Sequence, residues 1–581
     1  MQSQRAAFLP VNGWCVFSAG VLVFGFALAI SAGAASGPGP GGPLALAESE
    51  RVFLANIEQR GLVLTRRGWP ALAAAIRAGE AAKVAQFFST NFQGATLAVG
   101  EGKGVDLPTL KVRRQTNPGA ACDAGTFARF LTELRQRFAP DAKVELALMS
   151  LLPVKREDLD GAWGGSCAFR LVGPRTAGGH GELMAKLDFE LNSVPDADEI
   201  ATRGGWIRSL RAVEAQEAVA THELFREVGR EWGINRALFQ DNWQVPVEQR
   251  PIVTGGVFLA DVDNDGHQDV LITDERGLFL YRGGPGGRFE EVTHKSGLSP
   301  TLRRVLNAAW ADFDGDGLVD LITATRVFRN LGGFRFEDIS DRARIPMGSG
   351  VSGFSIGDYD RDGKVDLYVS RNDSVGKFTG TNSWIDGPGG PGNQLWRNLG
   401  DWKFEEVSSR ANAQAGRRSV FTSAWLDANN DNWPDIYCIN EFGGGVLLVN
   451  KGDGTFREMP LVDDTGDFGS MGLAVGDYDN DGNIDVYTAN MYSKAGRRIM
   501  ENLSDGTFAP EVFAKMKRFV TGSELYHNDG GLKFTRAGKR ARVHAVGWAY
   551  GAAFFDLDND GFLDLYGTAG FVSVNKEEPD G

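Results

Sequence analysis

The sequence predicts a mainly β protein, in which a β-propeller built around calcium loops follows a smaller α+β domain. Three observations support this fold class. An acidic loop pattern occurs six times after residue 256, Gly-rich hairpin patterns lie between its copies, and helical apolar spacing is found before residue 250. The chain has 581 residues, of which 76 are Gly. Because this length exceeds one ordinary core, at least two domains are expected.

The first 34 residues have the order of a secretory signal peptide. Arg5 precedes an apolar run at 14–30, and small residues follow the run. An uncleaved membrane anchor is the alternative, because the run is long for a signal peptide. Residues 35–46 are predicted to be a Pro/Gly linker. In both cases we expect the rest of the chain outside the cytoplasm, either secreted or in the periplasm or cell envelope.

Residues 47–215 are predicted to form the α+β domain. Segments 69–88 and 126–138 have helical apolar spacing, and four strand-type runs follow them. Helices followed by long strands favour a sheet with helices on one face. This order resembles the NTF2-like cone fold, whose members are enzymes or scaffolds. Residues 216–250 are predicted to be a helical connector.

The cysteines allow one disulfide within the α+β domain. Cys122 and Cys167 could pair in an oxidising compartment. Cys438 lies in an apolar alternating run and is predicted to be a buried packing residue.

Residues 251–581 contain the repeated loop. Five copies match D-x-D-x-D-G-x-x-D, and the fourth reads D-A-N-N-D-N-W-P-D. Oxygens at positions 1, 3, 5 and 9 and the backbone carbonyl at position 7 suit Ca²⁺, which takes six to eight oxygen ligands. Up to six Ca²⁺ ions are therefore predicted. The predicted ligands, loop by loop, are Asp261, Asp263, Asp265, His267 and Asp269; Asp312, Asp314, Asp316, Leu318 and Asp320; Asp358, Asp360, Asp362, Lys364 and Asp366; Asp427, Asn429, Asp431, Trp433 and Asp435; Asp477, Asp479, Asp481, Asn483 and Asp485; and Asp556, Asp558, Asp560, Phe562 and Asp564.

The alternative interpretation is a set of acidic, solvated turns between strands. The regular spacing argues against it, because several Asp side chains in nine residues repel one another unless a cation is bound. In the fourth loop, Asn429 keeps an oxygen at position 3, and Asn432 suits the positive φ that Gly adopts at position 6 elsewhere. This loop is predicted to be a working site and the weakest of the six.

One loop-bearing pair of strands and one hairpin make a four-stranded unit. The loops start 46 to 69 residues apart between Asp261 and Asp477, and the last gap is 79 residues because 491–523 are inserted. Repeats of four strands at this period predict a β-propeller. After the sixth loop no hairpin follows. Either the chain is a truncated fragment, or segments near 235–255 supply the closing strands.

The loops and hairpins together resemble FG-GAP/VCBS repeats. With the segments ANMYSKAGRRI, VGWAYGAAFFDLDNDGFLDLY and AGFVS, the region of about 250–572 resembles the cartilage acidic protein (CRTAC1, ASPIC/UnbV) family. The resemblance implies an extracellular calcium-binding propeller used in adhesion or matrix binding, with seven blades in the integrin-like members.

These patterns favour a secreted binding, scaffold or adhesion protein. A formal charge of −14 argues against nucleic acid as a partner. The expected partner is an extracellular protein or glycan, contacted either through the propeller face opposite the calcium loops or through the inserted loops 371–392 and 491–523. No membrane is expected unless the signal segment is retained. The alternative is an extracellular enzyme with its active site in the α+β domain or the propeller mouth. The sequence contains no H-E-x-x-H, G-x-S-x-G or Walker A motif, so no catalytic residue is predicted.

Overall fold

The computed structural model divides the chain into two compact units. An α+β unit comprises 45–227 and 494–507, and a repeat unit comprises 228–493 and 508–581 together with 1–44. The structure describes residues 47–97, 102–116, 119–195, 199–200, 202–246, 249, 255–298, 302, 305–345, 350–372, 390–416, 418–462, 469–492, 494–504 and 506–569. The predicted signal segment and linker lie outside these residues. None of the described helices is long and apolar enough to cross a membrane.

Helices open the α+β unit because its first segment combines helix-forming residues with a stripe of large apolar side chains. Ile57, Leu64, Trp69 and Leu72 from this stripe are fully buried. The Asp123 side chain accepts a hydrogen bond from the amide of Thr126 and so caps the fourth α-helix. The helices are α1 (Glu48–Val63), which continues through a π-helical turn (Leu64–Gly68) into α2 (Trp69–Ala78), then α3 (Ala81–Ala85) and α4 (Ala124–Gln136).

An eight-stranded sheet completes this unit. Its longest strands, β5 to β8, come from the four strand-type runs, and inward residues alternate with outward ones along them. The main order is β2-β3-β8-β7-β6-β5, with β1 parallel to β8 and β4 antiparallel to β1. The strands are β1 (Phe88–Ala95), β2 (Lys103–Asp106), β3 (Leu110–Gln115), β4 (Ala121–Cys122), β5 (Lys143–Pro153), β6 (Trp163–Pro174), β7 (His180–Leu191) and β8 (Ile207–Ala220).

The three described cysteines are free thiols, so the predicted pairing of Cys122 with Cys167 is wrong. Cys167 is fully buried within β6, whereas Cys122 lies on β4 opposite Gly94 of β1. The two thiols thus lie on different strands of the sheet. Cys438 is fully buried, which confirms its predicted packing role.

Part of the segment inserted in the repeats belongs to the α+β unit. Helix α6 (Lys494–Asn502) places Arg498 against Glu58 of α1, with Arg498 Nη2 2.9 Å from Glu58 Oε2. Asn502 Nδ2 donates to the carbonyl of Leu151 at 2.9 Å. The sequence predicted 491–523 to be a partner-binding surface loop. The structure instead shows that 494–502 is a packed helix of the α+β unit.

The described residues of the repeat unit form five four-stranded antiparallel meanders and one two-stranded antiparallel sheet. Short helices lie between sheets at α5 (Ser340–Ala343) and α8 (Gly538–Ala541), whereas α7 (Pro510–Phe519) lies within the fifth sheet, between its second and third strands. The strands, sheet by sheet, are β9 (Val257–Ala260), β10 (Asp269–Asp274), β11 (Gly277–Gly284) and β12 (Arg288–Glu291); β13 (Ala308–Ala311), β14 (Asp320–Thr323), β15 (Val327–Asn330) and β16 (Phe336–Asp338); β17 (Val351–Gly357), β18 (Asp366–Arg371), β19 (Gln394–Asn398) and β20 (Phe404–Glu406); β21 (Ser419–Leu426), β22 (Asp435–Phe442), β23 (Val446–Asn450) and β24 (Phe456–Met459); β25 (Ser470–Gly476), β26 (Asp485–Asn490), β27 (Glu524–Asn528) and β28 (Phe534–Arg536); and β29 (Ala549–Phe555) and β30 (Asp564–Ala569).

Each sheet packs on the next through a shared apolar core. Leu271 and Leu280 of the first sheet lie in one cluster with Leu321 and Phe328 of the second. Equivalent clusters join the second sheet to the third, the third to the fourth, the fourth to the fifth and the fifth to the last. This arrangement explains why strand residues of the repeats are apolar on both faces.

The segment predicted as a helical connector has a different structure. Its first residues complete β8, and the rest contains two short 3-10 turns, Arg236–Leu238 and Asn242–Gln244. The side chains of Asn235 and Asp241 accept hydrogen bonds from amides two residues ahead, which favours turns over a long helix. Among the described residues of 221–246 there is neither an α-helix nor a strand, so this part supplies no closing strand.

Candidate metal sites

Each of the six acidic loops joins the first two strands of its sheet. The position-9 Asp begins the second strand and pairs with the residue just before position 1, as Asp269 does with Ala260 and Asp320 with Ala311. All six loops therefore lie at the same end of their sheets. Parts of the predicted ligand sets converge: positions 1, 3 and 5 in the first, second and fifth loops, and positions 1, 3 and 9 in the third.

Backbone amides orient the carboxylates at positions 1 and 5. In the first loop, Asp261 accepts from the amides of Asp265 and Gly266 at 3.0 and 2.9 Å, and Asp265 accepts from the amide of His267 at 2.9 Å. The same three hydrogen bonds recur in the other five loops. The fourth loop is thus folded like the others despite its two Asn substitutions.

Two positions of each loop have left-handed backbone. Asn432 has a φ of 67°, close to the 85° of Gly266, as predicted from its position 6. Position 4 also has a positive φ, which the sequence analysis missed, even at Arg361 with 57°. The frequent Asn at position 4 could have indicated it, because Asn tolerates this conformation better than most residues.

The Asp at position 9 is a structural brace as well as a predicted ligand. Asp320 is fully buried, and its two carboxylate oxygens accept from the amides of Phe313 at 3.0 Å and Asn330 at 2.9 Å. Burial raises the pKa of Asp320 and of Asp366 to about 7, with the neighbouring carboxylates adding to the shift. In the last loop Asp564 is exposed.

An oxygen atom at position 3 is buried without a hydrogen-bond partner in each of the first four loops. These atoms are Asp263 Oδ1, Asp314 Oδ1, Asp360 Oδ1 and Asn429 Oδ1. Leaving such an atom unsatisfied costs free energy, about 1–3 kcal/mol each, unless a further ligand is bound. Four repeats of this feature at one loop position fit a cation that the loop encloses.

In several loops, the acidic side chains of the loop lie close enough together to bind one ion per loop. Within each group the candidate ligand atoms lie no more than 4.8 Å apart. The donors are carboxylate oxygens, which hard cations such as Ca²⁺ prefer, except in one group that includes the imidazole of His527. The groups include Asp261, Asp263 and Asp265; Asp312, Asp314 and Asp316; Asp358, Asp360 and Asp366; Asp477, Asp479 and Asp481; and Asp479, Asp485 and His527.

The third strand of each of the first three sheets adds an arginine beside the loop that was not predicted from the sequence. Arg329 places Nε 2.7 Å from Asp314 Oδ2 and Nη2 3.0 Å from Asp316 Oδ2. Arg282 and Arg397 contact positions 3 and 5 of their own loops in the same way. The sequence shows an Arg near the end of the third strand in these sheets, but it does not show that this Arg contacts the loop.

Asparagines tie neighbouring sheets together beside the loops. Asn398 Nδ2 donates to the carbonyl of Phe313 in the preceding loop at 2.8 Å, and Asn450 and Asn528 do the same to Tyr359 and Ala428. At position 4, Asn264 donates to the carbonyl of Gly317 in the following loop at 2.8 Å. The six loops are therefore linked into a chain of contacts and are not isolated turns.

Comparisons with known proteins agree with the repeat pattern. The FG-GAP-like repeat model matches residues 261–323 and 427–488. Cartilage acidic protein 1 of Xenopus tropicalis is 28% identical over 374 residues, which cover 53% of this chain and 56% of the frog protein. The human protein of that name is 26% identical over 263 residues, covering 40% of this chain and 39% of the human protein. This chain thus carries FG-GAP repeats and resembles cartilage acidic protein 1, and it spans about half or less of these relatives.

Solved structures give weaker likenesses. An Agrocybe aegerita lectin that recognises non-reducing terminal N-acetylglucosamine has a TM-score of 0.32 at 16% identity, covering 63% of this chain and 78% of the lectin. The Vibrio cholerae biofilm matrix protein Bap1 has a TM-score of 0.23 at 14% identity, covering 59% of this chain and 43% of Bap1. Both scores lie below 0.5, so they do not establish a shared overall fold.

Proposed function

We propose that this chain is a secreted calcium-binding β-propeller protein that acts as a binding, scaffold or adhesion protein. The observation that carries the proposal is the buried, unpartnered oxygen at position 3 of four loops, each beside carboxylates that backbone amides orient. A hydrogen-bonded acidic turn would not need this atom to be buried. A bound cation gives it a partner and offsets the repulsion within the loop.

The residues at positions 1, 3, 5 and 9 would hold the ion, together with the position-7 carbonyl. Ca²⁺ would supply positive charge and cross-links between the strands that meet at each loop. The chain itself contributes the orientation: amides hold the carboxylates at positions 1 and 5, and two amides fix the buried Asp at position 9. The role proposed for calcium is therefore structural.

The sheet packing supports the propeller part of the proposal. Five meanders of four strands follow one another along the chain, and each shares a core with the next sheet. This is how the blades of a propeller are arranged. The first strand of the first sheet exposes Val257 and Leu259, and the last sheet exposes Tyr566, so apolar residues are open at both ends of the series.

Secretion and an extracellular protein or glycan as partner complete the proposal. The apolar N-terminal run, the acidic composition and the likeness to cartilage acidic protein 1 support it. A retained signal segment would anchor the same protein to a membrane.

Thermal unfolding with and without a chelator tests the proposed role of calcium. EDTA is expected to lower the Tm of the repeat unit, and added Ca²⁺ to restore it, because ligands that bind only the folded state stabilise it. Asp312→Asn should reduce the difference between the two conditions. Asp341→Asn serves as the control, since Asp341 is exposed and lies outside the loops. If EDTA leaves the Tm unchanged, the proposal is wrong.

A further inference from the structure

A guanidinium group lies against three of the six loops. Arg282, Arg329 and Arg397 each approach the position-3 and position-5 carboxylates of their own loop, with contacts of 2.6 to 3.1 Å. In each case the contacts use Oδ2 of position 3, and Oδ1 of that side chain has no hydrogen-bond partner. The arginine therefore neutralises charge beside the candidate metal site without occupying the free oxygen.

The fourth and fifth sheets differ at this strand position. The residue in place of the arginine is Val449, next to Asn450, in the fourth sheet and His527, next to Asn528, in the fifth. The fourth loop also has Asn429 in place of an Asp, so it lacks one carboxylate and one guanidinium together. Its formal charge with this neighbour is −3, equal to that of the first two loops with their arginines, whereas Arg361 and Lys364 within the third loop leave that loop at −1 when Arg397 is included. The Asn substitution thus does not make this loop less negative than those three.

At the second loop, we expect Arg329 to change the calcium affinity through its charge more than by positioning the carboxylates. Trp402 Nε1 donates to Asp314 Oδ2 at 3.1 Å, and the amide of Leu318 donates to Asp316 Oδ1 at 3.0 Å. Both carboxylates therefore keep a hydrogen bond that orients them when Arg329 is removed. Even in a medium as polar as water, a unit charge about 5 Å from a divalent ion changes its binding constant by roughly tenfold.

We propose that Arg282, Arg329 and Arg397 are built-in counter-cations that lower the calcium affinity of the first three loops and stabilise these loops without metal. Val449 leaves the fourth loop free of this competition, so that loop binds calcium at least as tightly as the first three despite Asn429. The inference rests on the proposed calcium binding. It replaces the expectation, drawn from the sequence, that the fourth loop is the weakest site.

Two tryptophans make the second and fourth loops separately observable. Trp402 contacts Asp314 in the second loop, and Trp433 occupies position 7 of the fourth. Tb³⁺, which binds calcium sites and emits light when a nearby indole is excited, is the probe. Emission lost in Trp402→Phe is assigned to the second loop, and emission lost in Trp433→Phe to the fourth.

Titration of the full chain with Tb³⁺ and competing Ca²⁺ then compares matched variants. Arg329→Gln should tighten binding at the second loop by about tenfold, because it removes the charge and keeps an amide donor. Arg329→Lys, which keeps the charge, should leave binding within a fewfold of the wild type. Val449→Arg should weaken binding at the fourth loop by a similar factor. In EDTA, Arg329→Gln should lower the Tm and Arg329→Lys should not.

The outcomes separate this inference from the proposal on which it rests. If the wild-type chain gives no calcium-displaceable emission from either tryptophan, calcium binding by these loops is contradicted. If emission is present but Arg329→Gln weakens binding or leaves it unchanged, the counter-cation role is overturned. If Arg329→Gln and Arg329→Lys weaken binding equally, the arginine acts by positioning the carboxylates, which also contradicts the proposal.

Discussion

Asn330 donates from Nδ2 to the backbone carbonyl of Val262, 2.9 Å away, although the two residues are 68 positions apart in the chain. Val262 occupies position 2 of the first loop, and Asn330 ends the third strand of the second sheet. The same Nδ2 donates to the backbone carbonyl of Val319 in the second loop at 3.0 Å, and the backbone amide of Asn330 donates to Asp320 Oδ1 at 2.9 Å. One side chain thus joins two candidate metal loops.

The equivalent Asn398 should be important for stability. It is buried, and its Nδ2 donates to Phe313 and Val365 while its Oδ1 accepts from the amide of Gly400. We expect Asn398→Ala to lower the free energy of unfolding by about 2–4 kcal/mol, because several buried groups lose their partners. Chemical denaturation in the presence of Ca²⁺ measures this.

Asn192→Ala is the matched control, since Asn192 is exposed and also donates to a carbonyl, that of Gly205. Its loss should cost less than about 1 kcal/mol. If both substitutions lower the free energy of unfolding equally, the contact between sheets contributes no more to stability than an exposed hydrogen bond.

The left-handed backbone of Asn432 predicts opposite results for two substitutions. Asn432→Gly should be neutral or slightly stabilising, because Gly occupies this position in the other five loops. Asn432→Val should destabilise the protein by about 1–2 kcal/mol, since a β-branched residue fits φ near 67° poorly. Thermal unfolding of both variants compares them. A tolerated Val would contradict the loop conformation.

The buried position-9 carboxyls predict how pH affects the metal-free protein. Burial raises the pKa of Asp320 and Asp366 to about 7 and that of Asp435 to about 6, from an ordinary value of 3.8. Because the folded state binds these protons more tightly than the unfolded state, their contribution to stability is complete below pH 4. It is lost as the pH rises to about 7.

Calcium should reverse this trend, because the ion needs deprotonated carboxylates. The increase in Tm caused by Ca²⁺ should therefore be larger at pH 8 than at pH 5, as measured by calorimetry in both buffers. If Ca²⁺ raises the Tm by the same amount at pH 5 and at pH 8, the assignment of these carboxyls to the metal sites is contradicted.

The ion pair between Arg498 and Glu58 should hold the inserted helix on the α+β unit. Both side chains are largely buried, at 8% and 14% exposure, and Nε and Nη2 of Arg498 donate to the two oxygens of Glu58. Glu58→Ala should cost about 3–5 kcal/mol because it leaves a buried charge unpaired. Faster proteolysis within 494–507 would report the loosened helix.

Glu501→Ala provides the comparison for that substitution. Glu501 pairs with Arg497 on the same helix, at 38% and 34% exposure, and exposed pairs contribute about 1 kcal/mol or less. If both variants are cleaved at the same rate as the wild type, the ion pair does not fix the helix.

The sequence predicted the parts of the fold that depend on local spacing. The acidic pattern located all six loops, and alternating apolar runs located the long strands of the α+β unit. Asn432 could be assigned a positive φ because loop position 6 requires it in the other copies. In each case the physical cause lies within about ten residues of chain.

Contacts between distant segments could not be predicted in this way. The pairing of Arg329 with Asp314 depends on how a strand folds back beside its loop, and that of Asn330 with Val262 depends on how two sheets pack. The apolar spacing of 494–502 indicates a helix at most, and nothing in it identifies the α+β unit as its location. The free thiol of Cys167 has the same explanation, because sequence gives no distance between strands.

The most direct test of the account is the number of calcium ions that remain bound to the purified chain after equilibrium dialysis. The six loops predict a value approaching six, with a decrease of about two in the double variant Asp312→Asn and Asp358→Asn. The control variant Asp341→Asn should bind as many ions as the wild type. Less than one ion per chain, or a number unaffected by the double substitution, would contradict the assignment of these loops as calcium sites.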